Sequence, residues 1–589
     1  MKQEARELLA LSFANLLFAI TYLTIYPLHA PLNGYFMIEK IPRYFWALYV
    51  ISLMSLLIFL LNKSLNSAKP LRIVLTYVLL YLCSLRTFAS LHFTGFMGSD
   101  SPNFVGLTQY WASHNSVDLS KVSYGDNPGF FILGKVIISI TGLDINLYTI
   151  LIGVTWITIV YLVFRLITFK YTATFKTIQL SNHNQEQSLN TIVPLIATLS
   201  YFTLAVPFVV NFQYAPQTFA LVMLLIFFLI MTRFLENPLN FKIFILVLTT
   251  YAAIQVSHPF MFMFSISTIV SLLLIKWFSK LKSSNAVFPY IKSRGFETLL
   301  STMVILSFVY VLYQTVALQR RVGEVIKNIL EVFELRFLAE HFERLSTPAF
   351  PYYEFGYYLV AVVHSITWII ATIIIAIFVL ITIVLKIPKY YEISIVVGSV
   401  VALIPFMSTF MLQEFAVRGG QVLLFGILLL AIKGLLNVNH LKRIEFILKY
   451  TTRFLLILLI VSSFLAMARY TWYTQPPHLS SHDMLVINIL DDKIDVNSNF
   501  NIFSKNAFSV YYCSRNYGRP FTYCTSPILL ASKQHLSIEK YDLVLWERSL
   551  TLELLKYAGN WLQLYTLIRQ RDVLINANGI YLFKSSMRW

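Results

Sequence analysis

Apolar residues run for roughly 20 positions at a time along most of this chain, and the interruptions are short and polar. One such run is the length of α-helix that crosses a ~30 Å hydrocarbon core. Spans are predicted at 8–28, 43–61, 71–92, 146–168, 191–210, 215–234, 241–258, 260–278, 297–317, 357–385, 393–412, 420–437 and 453–469. The first is too long for the core of a signal peptide, and no small-residue cleavage site follows it. The stretch "NPGFFILGKVIISITGLD" (127–144) is shorter, contains Lys135 and is bounded by turn residues. It predicts a re-entrant or interfacial helix over 129–143, an arrangement tolerated where protein buries the backbone. Segment 171–190 reads as a flexible loop.

Two further pieces break the spanning pattern. Within 318–355, Val322, Val325, Ile326, Ile329, Leu330 and Phe333 recur at helical spacing, with Arg320, Arg321, Glu324, Lys327 and Glu331 opposite. That is an amphipathic helix lying in an interface. Beyond residue 470 the pattern turns mixed. "FNIFSKNAFSVYYCS" and "DVLINANGIYLF" read as strands, and "SLTLELLKYAGNWLQLYTLI" as a helix. The expected fold is an all-α polytopic membrane protein of about 13 transmembrane helices plus the re-entrant or interfacial helix. A small external α/β C-terminal domain follows. The domains are 1–469, with an external site loop at 93–145, and 470–589, long enough for its own core.

Composition supports the class and charge orients it. The chain is 57% hydrophobic and 13% charged, with mean hydropathy +0.68, so most of its surface must be solvated by something other than water. The net charge of +18 comes from Lys and Arg gathered in short loops. With the N-terminus inside, the loops assigned to the cytoplasm hold most of these loop residues, as the positive-inside rule requires. A plasma-membrane protein with a cytoplasmic N-terminus and an extracytoplasmic C-terminal domain follows. No basic stripe interleaved with aromatics exists, which excludes a nucleic-acid partner. Of three cysteines, Cys83 falls in a span, while Cys513 and Cys524 flank "SRNYGRPFTY" outside. They either form a disulfide or are two small buried hydrophobes.

The chemistry-bearing residues gather on the outer side of this topology. "GFMGSDSPNFVGL" puts Asp100 after the third span, and "SYGDNPG" puts Asp126 before the re-entrant stretch. Asp beside Ser, Pro, Asn and Gly also serves as a turn or helix cap. Here the two carboxylates bracket an unusual element. Other outer junctions are "VVNFQYAPQTF" with Gln213, Tyr214 and Gln217, "IQVSHPFMF" with Gln255, Ser257 and His258, and "FMLQEFAVRGGQVLLF" with Glu414, Arg418 and Gln421. Glu414 and Arg418 stand four residues apart and can pair with each other. Arg86 lies near the outer end of its span, where it can snorkel, although an intramembrane charge is a functional hypothesis by default.

These stretches resemble the GT-C superfamily of membrane glycosyltransferases, which take sugars from polyprenyl-phosphate carriers. "GSDSPNF" resembles the loop that supplies the catalytic Asp, and "YGDNPGFFILGKVIISITGLD" the element after it. "FQYAPQTFALVMLLIFFLI" followed by "VSHPFMFMFS" looks like paired features of archaeal members. "EFAVRGGQVLLFGILLLAIKGL" is similar to the late span whose Arg meets the lipid phosphate, and "INANGIYLFKS" to a terminal strand pair. Two departures stand beside these matches. The candidate Asp follows the third span rather than the first, and the "WWDxG" signature of oligosaccharyltransferases is missing.

The resemblance implies transfer of a sugar from a polyprenyl-phosphate donor to a glycan, lipid or protein acceptor at the outer face. Asp100 would be the general base, with Asp126 as alternate or acceptor-orienting residue. Arg418, and after it Arg86, would bind the donor phosphate. His258, Gln213, Tyr214 and Glu414 would line the pocket. No cofactor is required, and a divalent ion would be held by Asp100. Two other readings compete: a multi-span transporter, and an inactive envelope scaffold of the same fold.

Overall fold

The computed structural model describes residues 101–118, 122, 124–125, 127–176, 183–204, 215–282, 294–313, 355–385, 387, 390–403, 412–437 and 445–471, a few helical positions between 47 and 54, and backbone segments between 486 and 584. The predicted spans 8–28, 43–61 and 71–92, the segment 318–354 and the helix predicted from "SLTLELLKYAGNWLQLYTLI" lie outside the described residues, apart from those few positions.

Helix dominates. In chain order the helices are α1 (Ser101–Ser113), α2 (Gly129–Thr141), α3 (Ile145–Lys176), α4 (His183–Leu204), α5 (Pro216–Glu236), α6 (Phe241–Ser257), α7 (Pro259–Lys282) and α8 (Arg294–Tyr313). They continue with α9 (Phe355–Val384), α10 (Tyr390–Leu403), α11 (Leu412–Asn437), α12 (Glu445–Thr471) and α13 (Asn506–Tyr517). Local chemistry sets several boundaries. Pro216 opens α5 at its first position, where a missing N–H costs nothing. The Asn240 side chain accepts from the Lys242 and Ile243 amides and caps α6. Gly142, at φ 66°, ends α2 in the left-handed conformation.

Among the described residues, four stretches are long and apolar enough to cross a membrane: Leu147–Ala173, Pro216–Glu236, Leu359–Val384 and Gly419–Asn437. Their surroundings differ. The Gly419–Asn437 window is 78% buried within the protein, whereas the Leu359–Val384 window is 28% buried. Along α9, Leu359, Val362, Ile366, Ile369, Ile373, Ile377 and Leu380 form an exposed stripe at helical spacing. An apolar stripe running the length of a 30-residue helix is incompatible with water and suits lipid. The molecule therefore reads as a helical membrane protein with α11 inside the bundle and α9 on its rim.

Close approach at glycines sets the packing. A Cβ on Gly398 of α10 would stand 2.5 Å from the Thr268 Cα of α7, and one on Gly434 of α11 would stand 2.0 Å from the Phe378 carbonyl oxygen of α9. Lipid tails are as apolar as leucine, so membrane helices associate through such small-residue seams rather than by expelling water.

Three sequence readings are corrected. The stretch after Asp100, expected to be loop, is helix α1, with Phe104, Val105, Leu107 and Thr108 buried. Of the loop predicted over 171–190, residues 171–176 belong to α3 and residues 183–190 to α4. Only Ile502–Phe503 of "FNIFSKNAFSVYYCS" is strand, and Asn506–Tyr517 is α13. Tertiary docking overrides the β propensity of its Phe, Val and Tyr, since Tyr511, Tyr512, Cys513 and Ser514 are all buried. The eleventh predicted span, 393–412, coincides with α10 over its described residues, Tyr390–Leu403.

Short strands β1 (Ile502–Phe503), β2 (Cys524–Thr525), β3 (Leu543–Trp546), β4 (Asp572–Ala577) and β5 (Ile580–Lys584) pair in the order β2-β1-β3-β5-β4. β1 is parallel to β2 and β3, and β5 is antiparallel to β3 and β4. Ala577 pairs with Ile580 across Asn578-Gly579, the dipeptide favoured in two-residue hairpins.

Candidate functional site at one end of the bundle

Helix α2 fixes which groups share an end. Its 13 residues rise about 20 Å, too little to cross a bilayer. Its neighbours also all lie at one end of the longer helices. Gly129 meets Val256 and Ser257 at the close of α6, Phe130 lies 5.9 Å from Phe219 at the start of α5, and Gly134 meets Tyr148 at the start of α3. Just before α2, the Asn127 side chain donates to the Gln255 carbonyl at 3.1 Å and to the Tyr310 hydroxyl of α8. Lys135 does not point into the bilayer region alone, because its ammonium donates to the His114 and Asn115 carbonyls. The outer face of α2 carries Ile132, Val136 and Ile140, all exposed.

Several polar junctions singled out in the sequence meet at this end. His258 is buried in the turn between α6 and α7, immediately after Val256 and Ser257, which Gly129 touches. Gln217, one residue into α5, and Gln421 of α11 line a common cleft with Gly153, Trp156 and Tyr201. The cleft is small and mostly apolar, with Ile157, Val160, Leu221, Val222 and Met261 completing its wall. The Tyr201 hydroxyl is buried there and meets no hydrogen-bond partner among the described residues. A hydroxyl so placed is costly unless a water or ligand atom meets it.

The remaining predicted residues are distributed as follows. Asp100, Asp126, Arg86, Gln213 and Tyr214 lie outside the described residues. Glu414 and Arg418 belong to the first two turns of α11, and Arg418 precedes the cleft-lining Gln421 by one helical turn. Cys513 is buried in α13 and disulfide-bonded. Cys524 opens strand β2, which packs beside that helix. Among the described residues no group of three or more His, Cys, Asp or Glu gathers as a metal site.

The opposite end holds a polar cluster that the sequence reading missed. Glu392, at the start of α10, is 2% exposed. One of its oxygens receives the Tyr171 hydroxyl of α3 and the Lys433 ammonium of α11, the latter at 2.8 Å. The other oxygen is buried and meets no hydrogen-bond partner among the described residues. Lys433 also lies 4.7 Å above the Tyr171 ring. Nearby, Lys170 pairs with Glu236 at 2.9 Å and donates to the Thr232 carbonyl. The available signal was Lys433 itself, a single cation inside the apolar run "LLLAIKGLL". Its anionic partner sits 41 residues earlier in sequence, and no local pattern links the two. No family model and no curated protein matches this chain.

Proposed function

We propose that the chain is an integral membrane glycosyltransferase of GT-C type. It moves a sugar from a polyprenyl-phosphate donor to an acceptor on the outer face of the plasma membrane. The finer topology belongs to the same reading: about thirteen spans, a cytoplasmic N-terminus and an extracytoplasmic α/β domain after residue 470. One observation carries it. The junctions bearing Asn127, Gln255, His258, Gln217 and Gln421 converge at one end of the bundle, and Arg418 precedes Gln421 by one turn. Amides, an imidazole, a phenol and a cation at one bundle end suit a sugar phosphate whose lipid tail stays in the bilayer.

The chemistry assigns each group a task. The acceptor oxygen attacks the anomeric carbon as the bond from that carbon to the phosphate oxygen breaks, inverting the centre. Asp100 takes the acceptor proton, with Asp126 orienting the acceptor or standing in as base. The polyprenyl phosphate departs with the bonding electrons, and the guanidinium of Arg418 stabilises its charge, supported by Arg86. His258, Gln213, Tyr214 and Glu414 line the pocket. A divalent ion, if used, is held by Asp100.

The test is sugar transfer by the full chain reconstituted in lipid, supplied with a panel of polyprenyl-phosphate sugars and a membrane extract as acceptor. Asp100→Asn is expected to lower turnover by about 10²–10⁴-fold. Arg418→Gln is expected to lower it comparably by removing phosphate stabilisation. Full activity in Asp100→Asn would remove the base from the mechanism, and no transfer by the unaltered chain would leave the scaffold reading. The transporter reading has one observation in its favour, the buried Glu392–Lys433 pair. Solute uptake by proteoliposomes that Glu392→Gln abolishes and Asp100→Asn leaves intact would select it.

A further inference from the structure

Helix α1 is an unusual element for its position. It follows the third predicted span directly, yet it neither crosses the bundle nor lies on its surface. Phe104, Val105, Leu107 and Thr108 are buried on successive sides, so the helix is enclosed. On one side it meets α2 and α3, and on the other it meets α13 from the C-terminal part of the chain. The α1–α13 seam is tight. A Cβ on Gly106 would stand 2.6 Å from the Tyr511 carbonyl oxygen and 3.1 Å from the Arg515 nitrogen, so nothing larger than glycine passes there. Two side-chain hydrogen bonds flank that contact. The Ser514 hydroxyl donates to Asn103 Oδ1 at 2.5 Å, and the Tyr511 hydroxyl donates to Gln109 Oε1 at 2.5 Å. They lie one turn or less to either side of Gly106, so they fix both the rotation and the height of α1 against α13.

We propose that Ser514 and Tyr511 are positioning residues for the outer site, and that α13 holds the first turn of α1 in register with the bundle. This rests on the glycosyltransferase reading, in which the residue immediately before α1 in sequence is the general base. The first turn of α1, Ser101 to Phe104, includes Asn103, the acceptor of the Ser514 bond. Losing that bond releases the turn to which the base is joined, and misplacement of about 1 Å at a reacting group can cost up to about 10²-fold in rate. The C-terminal part of the chain is therefore a working part of the site, and the sequence gap of more than 400 residues between the partners is closed by this one seam.

The experiment compares Asn103→Ala, Ser514→Ala, the double variant and the bond-preserving Asn103→Asp and Ser514→Thr in the full chain in nanodiscs. Expected results are a kcat about 10-fold lower in each alanine variant with the donor KM unchanged, no further loss in the double variant, and recovery in the bond-preserving pair. Amide hydrogen exchange, read without any substrate, is expected to rise in both alanine variants over residues 101–108 and not over α3 or α5. Additive losses, unchanged exchange at 101–108, or a rise spread across the bundle would each overturn the proposal. If the unaltered chain transfers no sugar, the glycosyltransferase reading fails. The exchange data still decide whether α13 sets the position of α1.

Discussion

Two glycines about four turns apart on the same helix, α11, show what single residues do here. Gly434 of α11 faces the Phe378 carbonyl of α9 so closely that a Cβ would overlap it at 2.0 Å, whereas nothing lies within 4 Å of a Cβ on Gly420. Gly434→Ala is expected to destabilise the protein by about 1–3 kcal/mol through overpacking. Gly420→Ala is expected to be neutral or to stabilise by roughly 0.5–1 kcal/mol, because alanine restricts the unfolded chain. Thermal unfolding in detergent measures both, and equal effects would mean that the α9–α11 seam is not glycine-limited. Glu392 and Lys433 make a second residue-scale case. Each is buried and each neutralises the other. Glu392→Gln or Lys433→Met alone breaks this buried ion pair and is expected to cost about 3–5 kcal/mol. The double variant is expected to recover much of that loss, and a double-mutant cycle reads the coupling. Sequence carried half of this pair: a lysine in an apolar run is conspicuous, but its partner is identified only by the packing of α10 on α11.

At the scale of elements, legibility followed length. The apolar runs predicted at 146–168, 215–234, 357–385 and 420–437 coincide with helices α3, α5, α9 and α11, because a long uninterrupted run has no alternative use. Two short elements, α1 and α13, were misread, although the equally short α2 was predicted as a helix over 129–143. Helix α1 was hidden by "GSDSPN", whose turn residues in fact precede or open a helix. Helix α13 was hidden by aromatic and β-branched residues that favour strands until a partner helix buries them. The burial pattern of α9 gives a prediction that separates lipid from water as its surroundings. Ile373 is 54% exposed. Facing lipid near mid-helix, Ile373→Arg is expected to cost about 2.5–3.5 kcal/mol of insertion and to lower the membrane-inserted yield sharply. Facing water, the same change is close to neutral. Yield in membranes against total expression discriminates the two.

The whole molecule turns on α2, because every span after it changes side if α2 crosses the membrane. The apolar stretch 127–144 left this open in sequence, and charge alone argued for a helix that stays outside. Its contacts now add a physical reason. The start and the middle of α2 touch the same ends of α3, α5 and α6, as the proposed topology expects of a 13-residue helix that stays on one side. Under the proposed topology Ser116, exposed between α1 and α2, faces outward, and Leu239, 78% exposed in the turn between α5 and α6, faces the cytoplasm. A background with Cys83 replaced leaves Cys513 disulfide-bonded and unreactive, so single cysteines can be read against it. Ser116→Cys is expected to react with an impermeant maleimide in intact cells, and Leu239→Cys only after permeabilisation. Reaction of both from outside means that α2 crosses. Reaction of Leu239→Cys alone means that the chain is inverted, which would put the Asn127, His258 and Gln421 end on the cytoplasmic face and require a cytoplasmic sugar donor instead.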